Sequence, residues 1–345
     1  MRIGLIARSD NTGLGNQTKE LADMLKPDKI LIIDASSFNR NVQYHNRYSE
    51  YNCKISRGAP SNTLVNNFLN HLDVVISCET FYNPQFVKLA KLNNVKTILQ
   101  YNYELLDYLT DSEALLPDVL LAPSMWMLDD IKNKFGDRCR VQYLPPPTNP
   151  TLFEDTMNLN IEKKHKRILH IGGKPAMADR NGTNVVLDML NYSKAEYELV
   201  IATQVKLKSS SDDPRLKVSL NNVKNRQDMY KNFDAMILPR RYAGLCLPMN
   251  EALLSGLPVF MTDISPNNII LPEEWLVRSE PKQEILTRTK LKVYEANAEQ
   301  LAKKIDNYIN SNDNTKDKKL AYEIGMKNFA VQNLKDKYFQ LINSL

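Results

Sequence analysis

The chain alternates short runs of β-branched and other apolar residues with longer amphipathic stretches. In the first half, this pattern predicts strands at residues 3–7, 29–33, 74–77, 97–100 and 119–122. It predicts helices, several of them directly after a strand, at residues 17–25, 63–69, 84–93 and 125–135. Such an alternation is typical of an α/β fold, in which helices cover both faces of a mostly parallel sheet.

A proline-rich segment interrupts this pattern near the middle of the chain. Residues 143–150, YLPPPTNP, place four prolines within six residues, which neither a helix interior nor a central strand accommodates. A second α/β series begins at residues 167–173 and continues with strands at 198–202, 235–238 and 258–261, before a helical tail at 298–345. The length of 345 residues also favours two domains, which this segment would link.

Composition and charge exclude few classes of protein. Hydrophobic residues make up 43% of the chain and charged residues 25%, as in ordinary globular proteins. No apolar run of about 18 residues exists, so we expect no transmembrane segment. The first residues read as a strand, so we expect no signal peptide. The net charge of +5 permits an anionic partner. The cysteines are Cys53, Cys78, Cys139 and Cys246, and their spacing is not that of metal ligands. We therefore expect them to be free thiols in a reducing cytoplasm.

The first candidate for binding chemistry is a glycine-bearing loop after the first predicted strand. It has the sequence DNTGLGNQ at residues 10–17 and precedes a helix. Gly13 and Gly15 would let the backbone approach a ligand at the N–H groups of the helix start. A tight turn without a ligand is the alternative interpretation. The loop is not a dinucleotide fingerprint, because Thr18 occupies the third glycine position.

A second loop, which follows the strand at residues 167–173, carries basic residues. Gly173 is followed by Lys174, and Arg180 lies a few residues later, before a predicted helix that Thr183 or Asn184 could cap. Lysine and arginine near one helix start suit a diphosphate. A solvated basic loop is the alternative.

The third candidate is the sequence RRYAGLCLPMNEALLSGLPV at residues 240–259. A glycine-bearing loop leads into a helix that is predicted to carry Glu251 in its first turn. The carboxylate could accept hydrogen bonds from a ribose diol. The loop amides could bind phosphate or sugar oxygens; they belong to Gly244, Leu245, Cys246 and Leu247.

Residues 244–259 resemble the donor-site signature of retaining GT-B glycosyltransferases of the glycogen-synthase-like and mannosyltransferase-like group. The glycine loop, residues 122–124, the segment 144–153 and the Lys174 and Arg180 loop resemble other parts of that family in the same order. The resemblance implies two Rossmann-like domains that face each other across a cleft. It implies an acceptor domain at residues 1–146, a donor domain at 147–328, and a C-terminal helix at about 329–345 that packs back on the first domain.

The resemblance also implies a mechanism. Lys174, Arg180 and Glu251 would act at the catalytic centre, and Gly15 would bring an amide against a nucleotide-sugar donor, most simply a UDP-sugar. The basic groups would replace a metal ion, and the leaving phosphate would take the acceptor proton. Asp10, Asn102 and Glu104 are expected on the acceptor side.

Two positions depart from the family pattern. Ala243 stands where the family has the first of two glutamates, the one that contacts the donor sugar. The histidine that often follows the fourth strand is also missing, since residues 100–104 are QYNYE. The Ala243 departure favours one alternative, a non-catalytic nucleotide-sugar sensor. The other alternative is a GT-B-shaped sugar-nucleotide epimerase, which would need further acid/base carboxylates or histidines, and the chain has only four histidines.

The acceptor is open as well. Residues 36–58 interleave basic residues, among them Arg40 and Arg47, with aromatic residues such as Tyr48, a mixture that suits phosphate contacts and base stacking. Residues 240–268 are similar to bacteriophage-encoded glycosyltransferases, some of which glycosylate hydroxymethylated DNA bases. The resemblance thus makes double-stranded DNA with a 5-hydroxymethylated pyrimidine one expected acceptor, in the host cytoplasm. The alternative is a saccharide or lipid-linked acceptor.

Overall fold

The structure is a computed structural model that describes residues 1–36, 42–106, 115–156, 166–173, 177–207, 211–220, 223, 225–242 and 244–345. It divides into two compact units. The first unit comprises Met1–Thr148 together with Val331–Leu345, and the second comprises Asn149–Ala330.

The first unit is built on a parallel sheet of seven strands in the order β3-β2-β1-β4-β5-β6-β7. These strands are β1 Ile3–Arg8, β2 Lys29–Asp34, β3 Cys53–Arg57, β4 Val74–Cys78, β5 Lys96–Gln100, β6 Val119–Ala122 and β7 Arg140–Tyr143. The central strands are buried along their length, as expected where helices cover both faces of a parallel sheet. The strand order reverses between β1 and β4, and ligands of open α/β sheets bind at such a point.

Helices of the first unit span Gly13–Leu25, Asn62–Leu69, Phe86–Leu92, Leu128–Phe135 and Val331–Asn343. The last of these buries Leu334, Tyr338, Leu341 and Ile342 in the core of this unit. Their spacing places them on one helical face. The Tyr338 hydroxyl donates to the Pro145 carbonyl at 3.0 Å, which joins the helix to the proline-rich segment.

The second unit contains a parallel sheet of six strands in the order β10-β9-β8-β11-β12-β13. They are β8 Arg167–Gly173, β9 Glu198–Thr203, β10 Leu216–Ser219, β11 Ala235–Leu238, β12 Val259–Thr262 and β13 Leu276–Val277. An antiparallel hairpin follows, formed by β14 Ser279–Leu286 and β15 Lys290–Ala296. The helices span Thr183–Met189, Leu247–Leu254, Asn267–Ile270, Ala298–Asn310 and Thr315–Phe329. The two parallel sheets confirm the predicted α/β class.

Several strands at the sheet edges were not predicted from the sequence. Both β3 and β7 are largely accessible, so their residues lack the apolar run that marks a buried strand. The β14–β15 hairpin is missed for a similar reason, because most of β14 is exposed and only some residues of β15, such as Leu291 and Val293, are buried. Within the described part of the chain, no helix is both long and apolar enough to cross a bilayer.

Candidate functional site

The loop after β8 has an unusual backbone. Ala178 and Asp179 both adopt left-handed conformations, with φ of 53° and 50°. Such angles cost free energy in residues other than glycine. Gly182 also has a positive φ of 73°, and a Cβ at this position would lie 2.2 Å from the Pro239 carbonyl oxygen. The loop is therefore a specific, tightly packed conformation rather than a plain turn.

The cap of the helix after this loop differs from the prediction. Thr183 and Asn184 were expected as capping side chains, but the Asp179 carboxylate accepts their backbone N–H groups at 3.0 and 2.9 Å. Asp179 can do so because the loop turns back on itself. These two amides are engaged within the protein.

Thr183 instead binds a buried histidine. His170 lies in β8, with Nδ1 2.9 Å from the Ile237 carbonyl and Nε2 2.9 Å from Thr183 Oγ1. A carbonyl only accepts, so Nδ1 carries the proton and Nε2 accepts the threonine hydroxyl. Burial lowers the pKa of His170 to about 4, and the ring is neutral at neutral pH. His170 thus fixes the start of the helix.

Of the predicted diphosphate ligands, Lys174 lies outside the described residues, and Gly173 ends β8 with a positive φ of 64°. Arg180 is half-buried, and its carbonyl accepts the Arg241 N–H at 2.9 Å. This contact joins the Arg180 loop to the segment before Gly244, so the structure brings together two sequence-distant regions that were predicted to bind the donor.

The third loop leads into the helix Leu247–Leu254, which has Pro248 in its first turn. No side chain among the described residues caps this helix N-terminus. Cys246 and Gly244 are buried, while Leu245 and Leu247 are half-buried. The Leu245 carbonyl accepts Arg240 Nη1 at 2.7 Å, which fixes the loop. The Met249 and Asn250 N–H groups donate to the Cys246 carbonyl at 3.0 and 3.2 Å, so an anionic ligand here would bind amides that precede Pro248.

Glu251 is the fifth residue of this helix, so the prediction that it lies in the first turn is wrong. It is buried, with 6% of its surface exposed. The Tyr230 hydroxyl donates to Oε2 at 2.7 Å, and Arg226 Nη1 lies 3.2 Å from Oε1. Burial raises the pKa of Glu251, although Arg226 and Tyr230 act in the opposite direction. A carboxylate has about four acceptor sites, so capacity for ligand hydroxyls is left.

In the first unit, the glycine loop is bound by its own neighbours. A Cβ on Gly15 would lie 1.9 Å from the Asp10 carbonyl oxygen, so close packing alone requires glycine. The Gly15 N–H, which was predicted to face the donor, donates to Thr12 Oγ1 at 3.2 Å. Gly13 begins the helix Gly13–Leu25, for which Thr12 is the cap. This arrangement favours the tight-turn interpretation of the loop.

Asp10 and Arg47, both predicted on the acceptor side, have structural partners. Asp10 is fully buried, pairs with the Arg8 guanidinium and accepts Thr12 Oγ1 at 2.6 Å. Arg47 donates to the Asp10 carbonyl at 2.8 Å and to Asn16 Oδ1 at 3.1 Å. Arg47 therefore holds the glycine loop.

The other predicted acceptor residues are more accessible. Asn102 and Glu104 follow β5 and are half-buried, and Asn102 Nδ2 donates to Glu79 Oε1 at 3.0 Å. Glu79 follows the adjacent strand β4 with φ of 69°. Parallel strands end at one edge, so these groups share the carboxyl edge of the first sheet with the glycine loop. Arg40 lies outside the described residues.

Two of the aromatic residues described in the stretch 36–58, Tyr48 and Tyr51, are bound within the protein. Tyr48 is fully buried, and its hydroxyl donates to the Arg8 carbonyl at 2.9 Å. The Tyr51 hydroxyl donates to the Ala22 carbonyl at 3.1 Å. Tyr48 thus contacts strand β1, and Tyr51 contacts the helix Gly13–Leu25. Among the aromatic and basic residues of this stretch that the structure describes, the exposed ones are Tyr44, Lys54 and Arg57.

Several side chains that hold the site were not predicted from the sequence. Arg226 and Tyr230, which bind Glu251, are more than 20 residues from it in sequence, and no local pattern marks them. Arg240 and Arg241, with which the third candidate sequence begins, are buried, and no role was predicted for them. Across the described ranges, no group of three or more His, Cys, Asp or Glu side chains could hold a metal ion. The four cysteines are free thiols.

No protein-family model matches this sequence, and no curated protein matches it either. Solved structures do match. HepE from Anabaena, solved in complex with UDP, has a TM-score of 0.71 at 12% identity over 100% of both chains. Sucrose-phosphate synthase from Thermosynechococcus elongatus has a TM-score of 0.67 at 12% identity, over 100% of this chain and 98% of that one. A glycosyltransferase from Rickettsia africae has a TM-score of 0.68 at 13% identity, over 99% and 98%. The chain therefore has the fold of the GT-B glycosyltransferases, with two Rossmann-like α/β domains, as predicted.

Proposed function

We propose that this protein is a glycosyltransferase that moves a sugar from a UDP-sugar to an acceptor hydroxyl. The observation that carries the proposal is the buried Glu251 carboxylate on a helix whose N-terminus no described side chain caps. A carboxylate for a ribose diol and main-chain amides of residues 244–247 for phosphate are two halves of a nucleotide site. HepE, which has the same fold, has been solved with UDP and with UDP-glucose.

The proposed chemistry is electrostatic. The bond from the sugar's anomeric carbon to the phosphate oxygen breaks, and the acceptor oxygen forms the new bond. Arg180 and Lys174, together with amides of Gly173 and residues 244–247, stabilise the charge that develops on the leaving diphosphate. The leaving phosphate takes the acceptor proton, and the sugar keeps its anomeric configuration. No metal ion takes part in this scheme.

The donor half is tested by a thermal-shift screen with UDP-, GDP-, ADP- and CMP-sugars, followed by an assay for hydrolysis to free nucleoside diphosphate. A ligand at 100 times its dissociation constant adds about 2.7 kcal/mol to the free energy of unfolding. We expect a shift with UDP-sugars and slow hydrolysis. Binding without any hydrolysis or transfer would support the sensor instead, and no shift with any donor would reject the proposal.

We propose that the acceptor binds at the carboxyl edge of the first sheet. As a narrower hypothesis, we propose that the acceptor is a 5-hydroxymethylated pyrimidine in phage duplex DNA. Lys54 and Arg57 support it, because both are exposed on the edge strand β3. The test is radiolabelled sugar transfer to duplex DNA with 5-hydroxymethylcytosine, beside unmodified DNA and simple saccharides. Binding through several phosphates weakens with a log–log salt slope of about −0.9 per phosphate. Transfer to a saccharide or lipid-linked acceptor alone would reject DNA and leave the donor proposal intact.

A further inference from the structure

Two consecutive arginines lie between β11 and the third loop. Arg240 and Arg241 have only 6% and 8% of their surface exposed. Arginine is rarely buried unless its guanidinium has several partners, because the charge loses its hydration. Both guanidinium groups donate to main-chain carbonyls of the loops described above, and that of Arg241 also binds the β14–β15 hairpin.

Each arginine holds a different loop. Arg240 Nη1 donates to the Leu245 carbonyl at 2.7 Å, in the loop before the helix Leu247–Leu254. Arg241 Nη1 donates to the Ala178 carbonyl at 2.8 Å, in the loop that carries Arg180. The Tyr242 hydroxyl donates to the neighbouring Met177 carbonyl at 2.7 Å. One short segment thus fastens both loops that are proposed to bind the diphosphate.

The Arg180 loop needs such support. Ala178 and Asp179 are consecutive non-glycine residues in left-handed conformations, which persist only where surrounding contacts impose them. Two of those contacts are the hydrogen bonds from Arg241 and Tyr242 to the carbonyls of residues 177 and 178. A third is the Arg241 N–H, which donates to the Arg180 carbonyl at 2.9 Å. The backbone of Arg180 is therefore placed by Arg241.

The same guanidinium is bound to the β14–β15 hairpin. Arg241 Nε donates to the Tyr294 carbonyl at 3.0 Å, and Nη2 donates to Glu295 Oε2 at 3.1 Å. Lys282, on the opposite strand of the hairpin, lies 2.9 Å from Glu295 Oε1. The guanidinium of Arg241 therefore has three acceptors in different directions, which its planar fork of N–H groups can reach. One lysine ammonium could not reach all three with the same geometry.

We infer that Arg241 is a positioning residue for the donor diphosphate, which acts through the backbone of residues 177–180 while the β14–β15 hairpin braces it. Arg240 has the equivalent role for residues 244–247. This inference rests on the proposed function, because it assumes that these loops bind phosphate. Neither arginine touches the ligand in this scheme.

The experiment compares Arg241→Lys, which keeps the buried charge, with Tyr242→Phe, which removes one hydroxyl. The matched control is Arg167→Lys at the other end of β8, where the guanidinium pairs with Glu198 at 2.7 Å. UDP affinity is measured by calorimetry and uridine affinity by an NMR titration, on variants whose folding is checked by circular dichroism. Uridine lacks the phosphates and reports only on the nucleoside half of the site.

For Arg241→Lys we expect UDP to bind about tenfold more weakly, a difference of about 1.4 kcal/mol, with unchanged uridine affinity. Tyr242→Phe should weaken UDP binding about threefold, and Arg167→Lys should change the affinity for neither ligand. If Arg241 had a purely structural role, the substitution would weaken the binding of both ligands or of neither. An unchanged ratio of UDP affinity to uridine affinity in folded Arg241→Lys therefore overturns the inference. If that variant does not fold, Tyr242→Phe decides by the same ratio. A wild type that binds no nucleoside diphosphate overturns the proposed function, and this inference with it.

Discussion

The glycine loop of the first unit and the two loops of the second unit begin alike, as glycine-bearing turns between a parallel strand and a helix. In the first, the polar groups are bound to one another: Asp10 to Arg8 and Thr12, and the Gly15 amide to Thr12. In the second, the helix at Leu247 has no side-chain cap within the described residues, and Glu251 is held in place by two partners. A glycine loop can thus serve close packing or leave groups for a ligand, and the contacts around it decide which.

The largest effect should come from Gly15→Ala, because the first loop has no space for a methyl group. The new Cβ would lie 1.9 Å from the Asp10 carbonyl oxygen, so backbone must move. We expect the free energy of unfolding, measured in urea, to fall by about 3 kcal/mol.

Gly172→Ala is the matched control for this substitution. Its Cβ would meet Thr183 Oγ1 at 3.4 Å, an ordinary contact, so the change should stay within about 1 kcal/mol. Equal losses in the two variants would show that packing does not distinguish the loops.

A pH effect of nearly the same size is expected in the second unit. The pKa of His170 is lowered from 6.5 to about 4 by burial, so the unfolded chain binds the proton first as pH falls. The stability that His170 contributes is complete above about pH 6.5 and is lost towards pH 4, which amounts to about 3 kcal/mol. Urea unfolding at several pH values, beside His170→Asn, measures this. A variant with the same pH slope as the wild type would contradict the assignment.

The fold class could be predicted from the sequence, but the role of each loop could not. Central strands such as β1 and β8 bury whole apolar runs, and the glycines of the loops are visible, so the α/β class and the candidate loops follow from local patterns. The edge strand β3 has an exposed face and carries no such signal. The purpose of each loop depends on contacts between distant residues, such as Arg241 with Ala178 or Tyr230 with Glu251. Local sequence does not encode which partner is reached.

A smaller effect, on ligand affinity, is expected for Glu251→Gln. The amide keeps the shape of the side chain and loses the charge that would receive ribose hydroxyls, so donor binding should weaken by about 1.5–3 kcal/mol. Calorimetry with UDP measures it, and Glu198→Gln, a half-exposed carboxylate at the start of β9, is the control. Unchanged UDP affinity in folded Glu251→Gln would remove this residue from the site. Arg226 would lose its charged partner too, so the variant's stability is measured alongside.

The smallest expected effect is that of metal removal. The proposed site neutralises phosphate with Arg180, Lys174 and loop amides. Within the described ranges, no cluster of His, Cys, Asp and Glu side chains has the composition of a metal site. EDTA should therefore leave the rate of donor hydrolysis within about twofold of the untreated rate, because no catalytic charge is withdrawn. The control is the same sample with excess Mg²⁺ restored, which should not accelerate it. A rate that collapses in EDTA and recovers with Mg²⁺ would show that an ion carries the phosphate charge. In that case, the second unit would need carboxylate or substrate ligands for the ion. Its basic loops would then not differ from the self-bound loop of the first unit by neutralising phosphate on their own.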